Sequence, residues 1–229
     1  MGVKQFLKTA PFTRGFYRFA TNVYLHLQRT DVKASLVYLQ KGEETVAAVQ
    51  SILSELPNLF FFDMGTLLGI IRDGKLIRRD LDIDVAVYAE DEASIDAVRA
   101  HLRRSGLDLQ YIFSVEGVGS VEDSYSFHGI RVDINYYRRG GGKDYCYLLY
   151  DEDKVVRLSC NPVRNTRLHL FGNTQICVPE DPETYLTNRY GQWRIPDKNY
   201  KYWEGPSTEK ISNQGTTRCI ATDVSNRRA

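Results

Sequence analysis

Three aspartates at alternate positions, Asp80, Asp82 and Asp84, are the residues whose types and spacing most directly indicate chemistry in this sequence. In a β-strand, alternate side chains leave the same face, so these carboxylates would lie about 7 Å apart. Such carboxylates repel one another unless a cation lies among them. Hard oxygen ligands suit Mg²⁺, with Mn²⁺ as an alternative, and leave positions for substrate phosphates. The triplet therefore predicts a metal site, and the alternative interpretation is a solvated strand edge.

An EF-hand loop also begins with alternating aspartates, so this second kind of metal site has to be compared. That loop requires Gly at its sixth position and Glu at its twelfth. Val85 and Asp91 occupy those positions here. The apolar residues that alternate with the aspartates also indicate a strand, and the EF-hand interpretation is rejected.

A segment with the features of a phosphate site precedes the aspartates. An apolar stretch, Leu59–Met64, is followed by Gly65-Thr66 and by a short predicted helix over Leu67–Ile71. Glycine allows the backbone to approach a ligand closely, and the start of a helix offers free N–H groups to an anion. Basic side chains that could neutralise a diphosphate come next: Arg72, Lys75, Arg78 and Arg79.

A further acid, Asp133, lies in the alternating segment GIRVDINYY, where it shares a face with Arg131 and Asn135. If this strand pairs beside the first one, Asp82, Asp84 and Asp133 converge on one or two metal ions. Such clusters serve in-line displacement at phosphorus, because they hold the attacking and leaving oxygens. The alternative is an exposed strand aspartate.

These motifs together resemble a known fold and a known family. A strand, Gly-Thr, a helix, Asp-x-Asp and a later Asp resemble the nucleotidyltransferase fold shared with polymerase β. The string GTLLGIIRDGKLIRRDLDID, residues 65–84, more narrowly resembles the LicD family, which includes fukutin and fukutin-related protein. Val178–Trp193 is similar to the C-terminal signature of that family, a short helix that ends in Tyr-Gly shortly before Trp. Arg78-Arg79 replaces the usual Pro-Trp.

The resemblance implies a Mg²⁺-dependent transfer of a phosphorylated alcohol from a CDP-activated donor to a hydroxyl of a cell-surface or lipid-linked glycan. The alcohol phosphate would be of the phosphocholine, ribitol phosphate or glycerol phosphate type. By position, Asp82 and Asp84 would hold Mg²⁺, and Asp133 would complete the metal site or accept the proton of the attacking hydroxyl. The substrate-binding residues implied in the same way are Gly65, Thr66, Arg72 and Asp80. Arg79 is predicted to bind substrate as one of the basic side chains that could neutralise a diphosphate.

Two other functions share these residues. A nucleotidyltransferase would move a nucleoside monophosphate from a triphosphate to a small molecule, a protein or RNA. A catalytically inactive nucleotide-binding module would retain the fold alone.

The pattern of elements predicts an α+β fold with a mixed, mostly antiparallel sheet flanked by helices. Hydrophobic periodicity predicts helices over residues 43–56 and 91–105, and a helix from Asp181-Pro182 to about Gly191. The predicted strands are 59–64, 82–88, 107–113, 125–130, 131–137, 145–150, 155–158, 167–171 and 175–178. The predicted domains are a basic aromatic arm (1–40), the catalytic domain (41–204) and a flexible tail (205–229).

Composition limits the partners and the compartment. The 30 basic and 29 acidic residues of the 229-residue chain nearly cancel, which disfavours a nucleic-acid partner. The four cysteines show no zinc-like spacing and are typical of free cytoplasmic thiols. Residues 1–33 combine six basic residues and one acid with many aromatics. This arm suits peripheral contact with the inner face of a membrane, and the alternative is a helical arm packed on the body.

We expect the full chain to bind vesicles that contain anionic lipid, and to bind less as salt screens the attraction of its basic arm. Cosedimentation at low and at physiological salt measures this binding, with uncharged phosphatidylcholine vesicles as the control. Equal sedimentation of the full chain and of a chain lacking residues 1–33 would contradict the prediction.

Overall fold

The computed structural model describes the backbone of residues 14–151, 154–211 and 216–220, and the side chains of residues 34–149 and 154–211. The helices in these ranges are α1 (Arg14–Leu53), α2 (Met64–Asp73), α3 (Glu92–Arg104) and α4 (Pro182–Tyr190). The strands are β1 (Phe60–Phe62), β2 (Asp82–Tyr88), β3 (Asp108–Val115), β4 (Gly119–Phe127), β5 (Ile130–Gly140), β6 (Lys143–Asp151), β7 (Lys154–Cys160), β8 (Thr166–Phe171), β9 (Thr174–Pro179), β10 (Thr208–Ile211) and β11 (Thr216–Ile220).

Nine of the described strands form one mixed sheet in the order β10-β7-β6-β5-β4-β3-β11, with β2 beside β5 and β1 beside β2. The pairing of β2 with β5 is parallel, and the other pairings within the described strands are antiparallel. The long strand β5 pairs with β2 and β4 along its first part and with β6 at its end. The predicted α+β class, with a mixed sheet flanked by helices, is confirmed.

Helix α1 packs on the sheet through its C-terminal part. Val46, Val49 and Leu53 are fully buried, at the three- and four-residue steps that predict this helix. The helix is much longer than the predicted range 43–56, since it begins at Arg14. A Cβ atom at Gly42 would lie 2.6 Å from Leu76 Cδ1, so this glycine allows α1 to pass close to the chain that follows α2. The predicted boundary at residue 40 therefore falls inside one helix.

The C-terminal segment that was predicted to be flexible contains two strands. β10 pairs with β7, and β11 pairs with β3 at the edge of the main sheet. Residues 212–215 and 221–229 lie outside the described residues, so for them flexibility stays a prediction.

The side chains of the basic arm, 1–33, are also outside the described set, and its membrane contact stays a prediction. Within the described part of the chain, no helix combines the length and the apolar character needed to cross a bilayer.

Helix α3 is fixed to the sheet by a buried ion pair. The carboxylate of Asp123, on β4, is 0% exposed and accepts hydrogen bonds from Arg99 Nε at 2.8 Å and Nη2 at 3.0 Å. The hydroxyls of Tyr136 and Tyr125 donate to the same carboxylate at 2.7 and 3.2 Å. This network satisfies a charge that would be costly if it were left alone inside the protein.

We expect Arg99→Ala to lower the free energy of unfolding by about 3 kcal/mol, because it leaves the Asp123 carboxylate buried without a counter-charge. Denaturant unfolding measures the change. Arg103→Ala, an exposed arginine on the same helix, is the matched control, and equal stability of the two variants would contradict the role of the ion pair.

Candidate active site

The backbone on both sides of Asp84 is held by the start of helix α2. The Asp84 N–H donates to Thr66 Oγ1 at 2.9 Å, and the Asp84 carbonyl accepts from the Asp63 N–H at 3.0 Å. Met64, with φ of 48°, turns the chain from β1 into α2 between these two contacts. The Tyr38 hydroxyl, from α1, donates to the Asp82 carbonyl at 3.0 Å. Two helices therefore fix the beginning of β2, which carries Asp82 and Asp84.

Asp80 reaches the same site by a different route from the one that strand alternation predicts. It lies in a turn before β2, and Leu81 connects the turn to the strand with a left-handed φ of 66°. The carboxylate folds over Gly65, where a Cβ atom would lie 1.7 Å from Asp80 Oδ2. Glycine is required at position 65 because a side chain and the Asp80 carboxylate would occupy the same volume.

Asp80, Asp82 and Asp84 form the one group of possible metal ligands in the described part of the chain, with one oxygen of each within 4.8 Å of the others. Asp80 Oδ2 is buried and has no hydrogen-bond partner among the described residues. An oxygen-only donor set is what Mg²⁺ and Mn²⁺ prefer. The residues present therefore fit a hard divalent cation, and Asp80 stands with the ligand candidates.

The pKa values of these three carboxyl groups are raised mainly by their burial. Burial, together with the charge of Asp82, raises the pKa of Asp80 to about 7. Burial and the charges of Asp82 and Asp133 raise the pKa of Asp84 well above its ordinary value. Burial also raises the pKa of Asp82, although Arg131 acts in the opposite direction. Protons would therefore compete with a cation bound at these carboxylates.

Asp133 lies directly opposite Asp84 in the parallel register of β2 and β5. Ser124 Oγ donates to Asp133 Oδ1 at 2.6 Å, and Arg131 Nε lies 3.0 Å from Asp133 Oδ2. Arg131 also contacts the Asp82 carboxylate. Burial raises the pKa of Asp133 to about 6, while Arg131 and Ser124 act to lower it. The structure thus brings Asp133 to the aspartates but gives both of its oxygens protein partners.

The predicted substrate-binding residues lie in different places. Gly65 and Arg72 line the cavity described below, and Arg72 Nη2 also pairs with Asp73 at 2.9 Å. Thr66 is fully buried and its hydroxyl is used by the Asp84 backbone, so its contact with a phosphate stays a prediction. Arg79 is exposed and is not part of the cavity lining.

A cavity of about 910 Å³ opens over the aspartates. Strands β3 and β4 contribute Tyr111, Phe113 and Glu122 to its lining. The chain after α4 contributes Tyr190 and a Trp193 side chain whose Nε1 also donates to Thr187 Oγ1 at 3.1 Å. Further lining comes from residues of the same segment and of β6: Gln192, Ile195, Pro196, Asp197, Lys198, Tyr200, Tyr202, Leu148 and Leu149. The volume is in the range of small-molecule sites, and the lining combines charged, polar and aromatic groups.

The family model described as "LicD/FKTN/FKRP, nucleotidyltransferase domain" matches residues 59–181, which is more than half of the chain. The chain belongs to the LicD family. The matched range contains the aspartates, Asp133 and the start of α2, whereas the cavity lining that follows α4 lies beyond it in this LicD protein.

Curated relatives show the same likeness at low identity. The chain is 25% identical over 190 residues to the ribitol-5-phosphate transferases FKTN of Mus musculus and Homo sapiens, covering 75% of this chain and 37% of each relative. It is 24% identical over 135 residues to the uncharacterized protein RT0683 of Rickettsia typhi, covering 58% of this chain and 40% of the relative. The LicD protein therefore spans about two fifths of the length of these relatives.

A buried network beneath the site was missed by sequence reasoning. Asp63 is 0% exposed and accepts hydrogen bonds from the hydroxyls of Tyr137 at 2.6 Å and Tyr185 at 2.8 Å. Arg189 Nη2, from α4, lies 3.8 Å from Asp63 Oδ2 and 2.8 Å from Met64 Sδ. The signal in the sequence is an acid directly after an apolar strand. Its partners follow more than 70 residues later, so no local pattern identifies them.

We expect the metal-free protein to lose thermal stability as the pH rises from about 5 to 8, and MgCl₂ to restore more stability at pH 8 than at pH 5. Asp80 has a folded pKa of about 7, above the unfolded value near 4, so between these values the folded state binds more protons. Raising the pH removes these protons and leaves repelling charges, which Mg²⁺ neutralises. Differential scanning fluorimetry measures both effects.

Asp80→Asn reports on the origin of this pH dependence, since it removes one titrating carboxylate of the trio. Asp108→Asn, an exposed aspartate on β3, is the matched control. A Mg²⁺ stabilisation that is the same at pH 5 and pH 8 would contradict the interpretation of the trio as a metal site.

Proposed function

We propose that this protein is a Mg²⁺-dependent phosphotransferase with a nucleotidyltransferase fold. It would move a phospho-alcohol of the phosphocholine, ribitol phosphate or glycerol phosphate type from a CDP-activated donor to a hydroxyl of a cell-surface or lipid-linked glycan. The observation that carries the proposal is the trio Asp80, Asp82 and Asp84, with Asp133 opposite Asp84 on a parallel strand. Membership of the LicD family and the likeness to ribitol-5-phosphate transferases support the same reaction class.

The arrangement of the strands supports the fold part of the proposal. Strand β1 leads directly into α2, β2 pairs antiparallel with β1, and β5 adds in parallel on the other side of β2. This unit places a helix start and two acid-bearing strands at one location, as metal-dependent transfer to or from a diphosphate requires.

In the proposed reaction the carboxylates of Asp80, Asp82 and Asp84 would hold Mg²⁺ (or Mn²⁺). When bound, the cation supplies positive charge that offsets the charge developing on the diphosphate. The backbone N–H groups at the start of α2 would add a further positive potential beside the cation. Arg72, which lines the cavity beside them, would stabilise the same developing charge.

Arg131 and Ser124 orient Asp133 beside the site where the phosphate would lie. Asp133 would either complete the metal site or accept the proton of the attacking hydroxyl. With a pKa of about 6, it is mostly ionised at neutral pH and able to accept a proton. The rate of Asp133→Asn at saturating Mg²⁺ separates the two roles, because added Mg²⁺ offsets a weaker metal site but does not replace a proton acceptor.

A second candidate function is transfer of a nucleoside monophosphate from a triphosphate. The same trio would serve it, and the matched family model is described as a nucleotidyltransferase domain. The released product distinguishes the two reactions: CMP leaves a CDP-alcohol, whereas pyrophosphate leaves a nucleoside triphosphate. A Mg²⁺-dependent thermal-shift panel of CDP-choline, CDP-ribitol, CDP-glycerol and the triphosphates ranks the donors, because ligands of the native state raise its stability.

We expect Asp82→Asn and Asp84→Asn each to lower the rate of CMP release from the preferred CDP-alcohol by about 10³-fold, since each change removes a charge that holds the cation. Quantifying CMP by chromatography measures the rate. Asp108→Asn should keep the wild-type rate. Full turnover by either site variant would refute the proposal, and nucleotide binding by the wild-type protein without release of CMP or pyrophosphate would favour an inactive nucleotide-binding module.

A further inference from the structure

Strand register arranges the cavity wall as two rows of side chains that run across β2, β5, β4 and β3. Residues in one row lie opposite one another on neighbouring strands, about 4.8 Å apart from strand to strand. The first row consists of Asp84, Asp133, Ser124 and Tyr111. The second row consists of Ala86, Asn135, Glu122 and Phe113. All of these residues except Ala86 line the cavity.

The two rows differ in how their polar groups are satisfied. In the first row, Ser124 Oγ donates to Asp133 at 2.6 Å. In the second row, Asn135 is only 2% exposed, yet its Oδ1 has no hydrogen-bond partner among the described residues. Buried polar groups are normally hydrogen-bonded, because leaving one unpaired costs free energy. A ligand group that donates a hydrogen bond would satisfy this acceptor in the cavity wall.

Glu122 and Phe113 complete the surroundings of this acceptor. Glu122 is half-buried directly opposite Asn135, and its carboxyl group accepts hydrogen bonds when ionised and also donates one when protonated. Burial and the charge of Asp133 raise its pKa to about 8, so both forms occur near neutral pH. On the other side of Glu122 lies Phe113, whose ring centroid is 6.2 Å from that of Tyr111.

A ligand that matches this row needs several hydroxyl groups and an apolar carbon surface. Hydroxyls both donate and accept, so they satisfy an amide oxygen and a carboxyl group in either protonation state. The aromatic ring at the end of the row offers an apolar surface to C–H groups. We infer that Asn135, Glu122 and Phe113 form a binding site for a polyol beside the carboxylate trio.

The polyol site lies beside the carboxylates that would bind the phosphate in the proposed transfer. The assignment of the polyol to a substrate of that transfer rests on the proposed function. Asn135 lies on the strand next to β2, and Glu122 lies on the strand after that. The spacing between strands places them roughly 5 and 10 Å from β2, which carries Asp84. A polyol held there would lie next to a phosphate at the trio. Either the polyol of the donor or a sugar of the acceptor has this chemistry.

Binding measurements with Glu122→Ala and Asn135→Ala in the full chain test the site. Isothermal titration in Mg²⁺ compares CDP, CDP-choline and CDP-ribitol, and then titrates methyl β-D-galactopyranoside into the protein saturated with CDP. We expect each variant to weaken binding of the polyol-bearing ligand by roughly 5- to 10-fold, the equivalent of one hydrogen bond, and to leave binding of CDP and CDP-choline unchanged. A loss confined to CDP-ribitol assigns the site to the donor polyol, and a loss confined to the glycoside assigns it to the acceptor sugar.

The controls are Glu116→Ala and Asn173→Ala, the same changes at exposed turn positions. Unchanged polyol binding by Glu122→Ala, whose half-exposed side chain is not part of the core, overturns the inference even if Asn135→Ala fails to fold. An equal loss of CDP and CDP-ribitol also overturns it, because the row would then contact the nucleotide. If the wild-type protein binds no CDP, the proposed function fails. Saturation-transfer NMR with ribitol and the glycoside alone then still decides whether the polyol site exists.

Discussion

Asp84 and Asp133 lie opposite each other on neighbouring parallel strands, and their like charges repel across a single strand spacing. Asp80 and Asp82 add to this repulsion from the same side. The surrounding structure holds the groups together in spite of it. Thr66 and Asp63 bind the Asp84 backbone, Tyr38 binds the Asp82 carbonyl, and Arg131 lies between the acids of both strands. Part of the stabilising free energy of the fold therefore offsets the repulsion among these carboxylates.

Such a concentration of charge has two states, in which either protons or a cation balance it. Burial raises the pKa of Asp80 to about 7 and that of Asp133 to about 6, so both carboxyl groups hold a proton to a higher pH than an exposed aspartate does. Burial also raises the pKa of Glu122, on the next strand. The trio would suit a hard cation, because one oxygen of each aspartate already lies within 4.8 Å of the others.

Local patterns in the sequence predict the parts of the site that strand periodicity positions. The alternation around Asp82 and Asp84 predicts β2, and the alternation around Asp133 predicts the face of β5 that meets it. Strand alternation does not position Asp80. The left-handed backbone of Leu81 and the space that Gly65 leaves for the Asp80 carboxylate bring it to the site. The position of Glu122 is not predicted by local patterns either. It depends on the register of β3, β4 and β5, which is set by pairings between distant parts of the chain. Long-range pairing has no short-range signal.

Helix α4 contributes to the site through the network around Asp63, although α4 is far from Asp63 along the chain. Tyr185 and Arg189 belong to α4, which begins one residue beyond the segment that defines the family. Without them, the Asp63 carboxylate under the start of α2 would lose most of its counter-charge. During synthesis, the aspartates are complete long before this helix is. A nascent chain that has not yet released α4 from the ribosome therefore carries Asp80, Asp82, Asp84 and Asp133 but lacks the contacts of Tyr185 and Arg189 with Asp63.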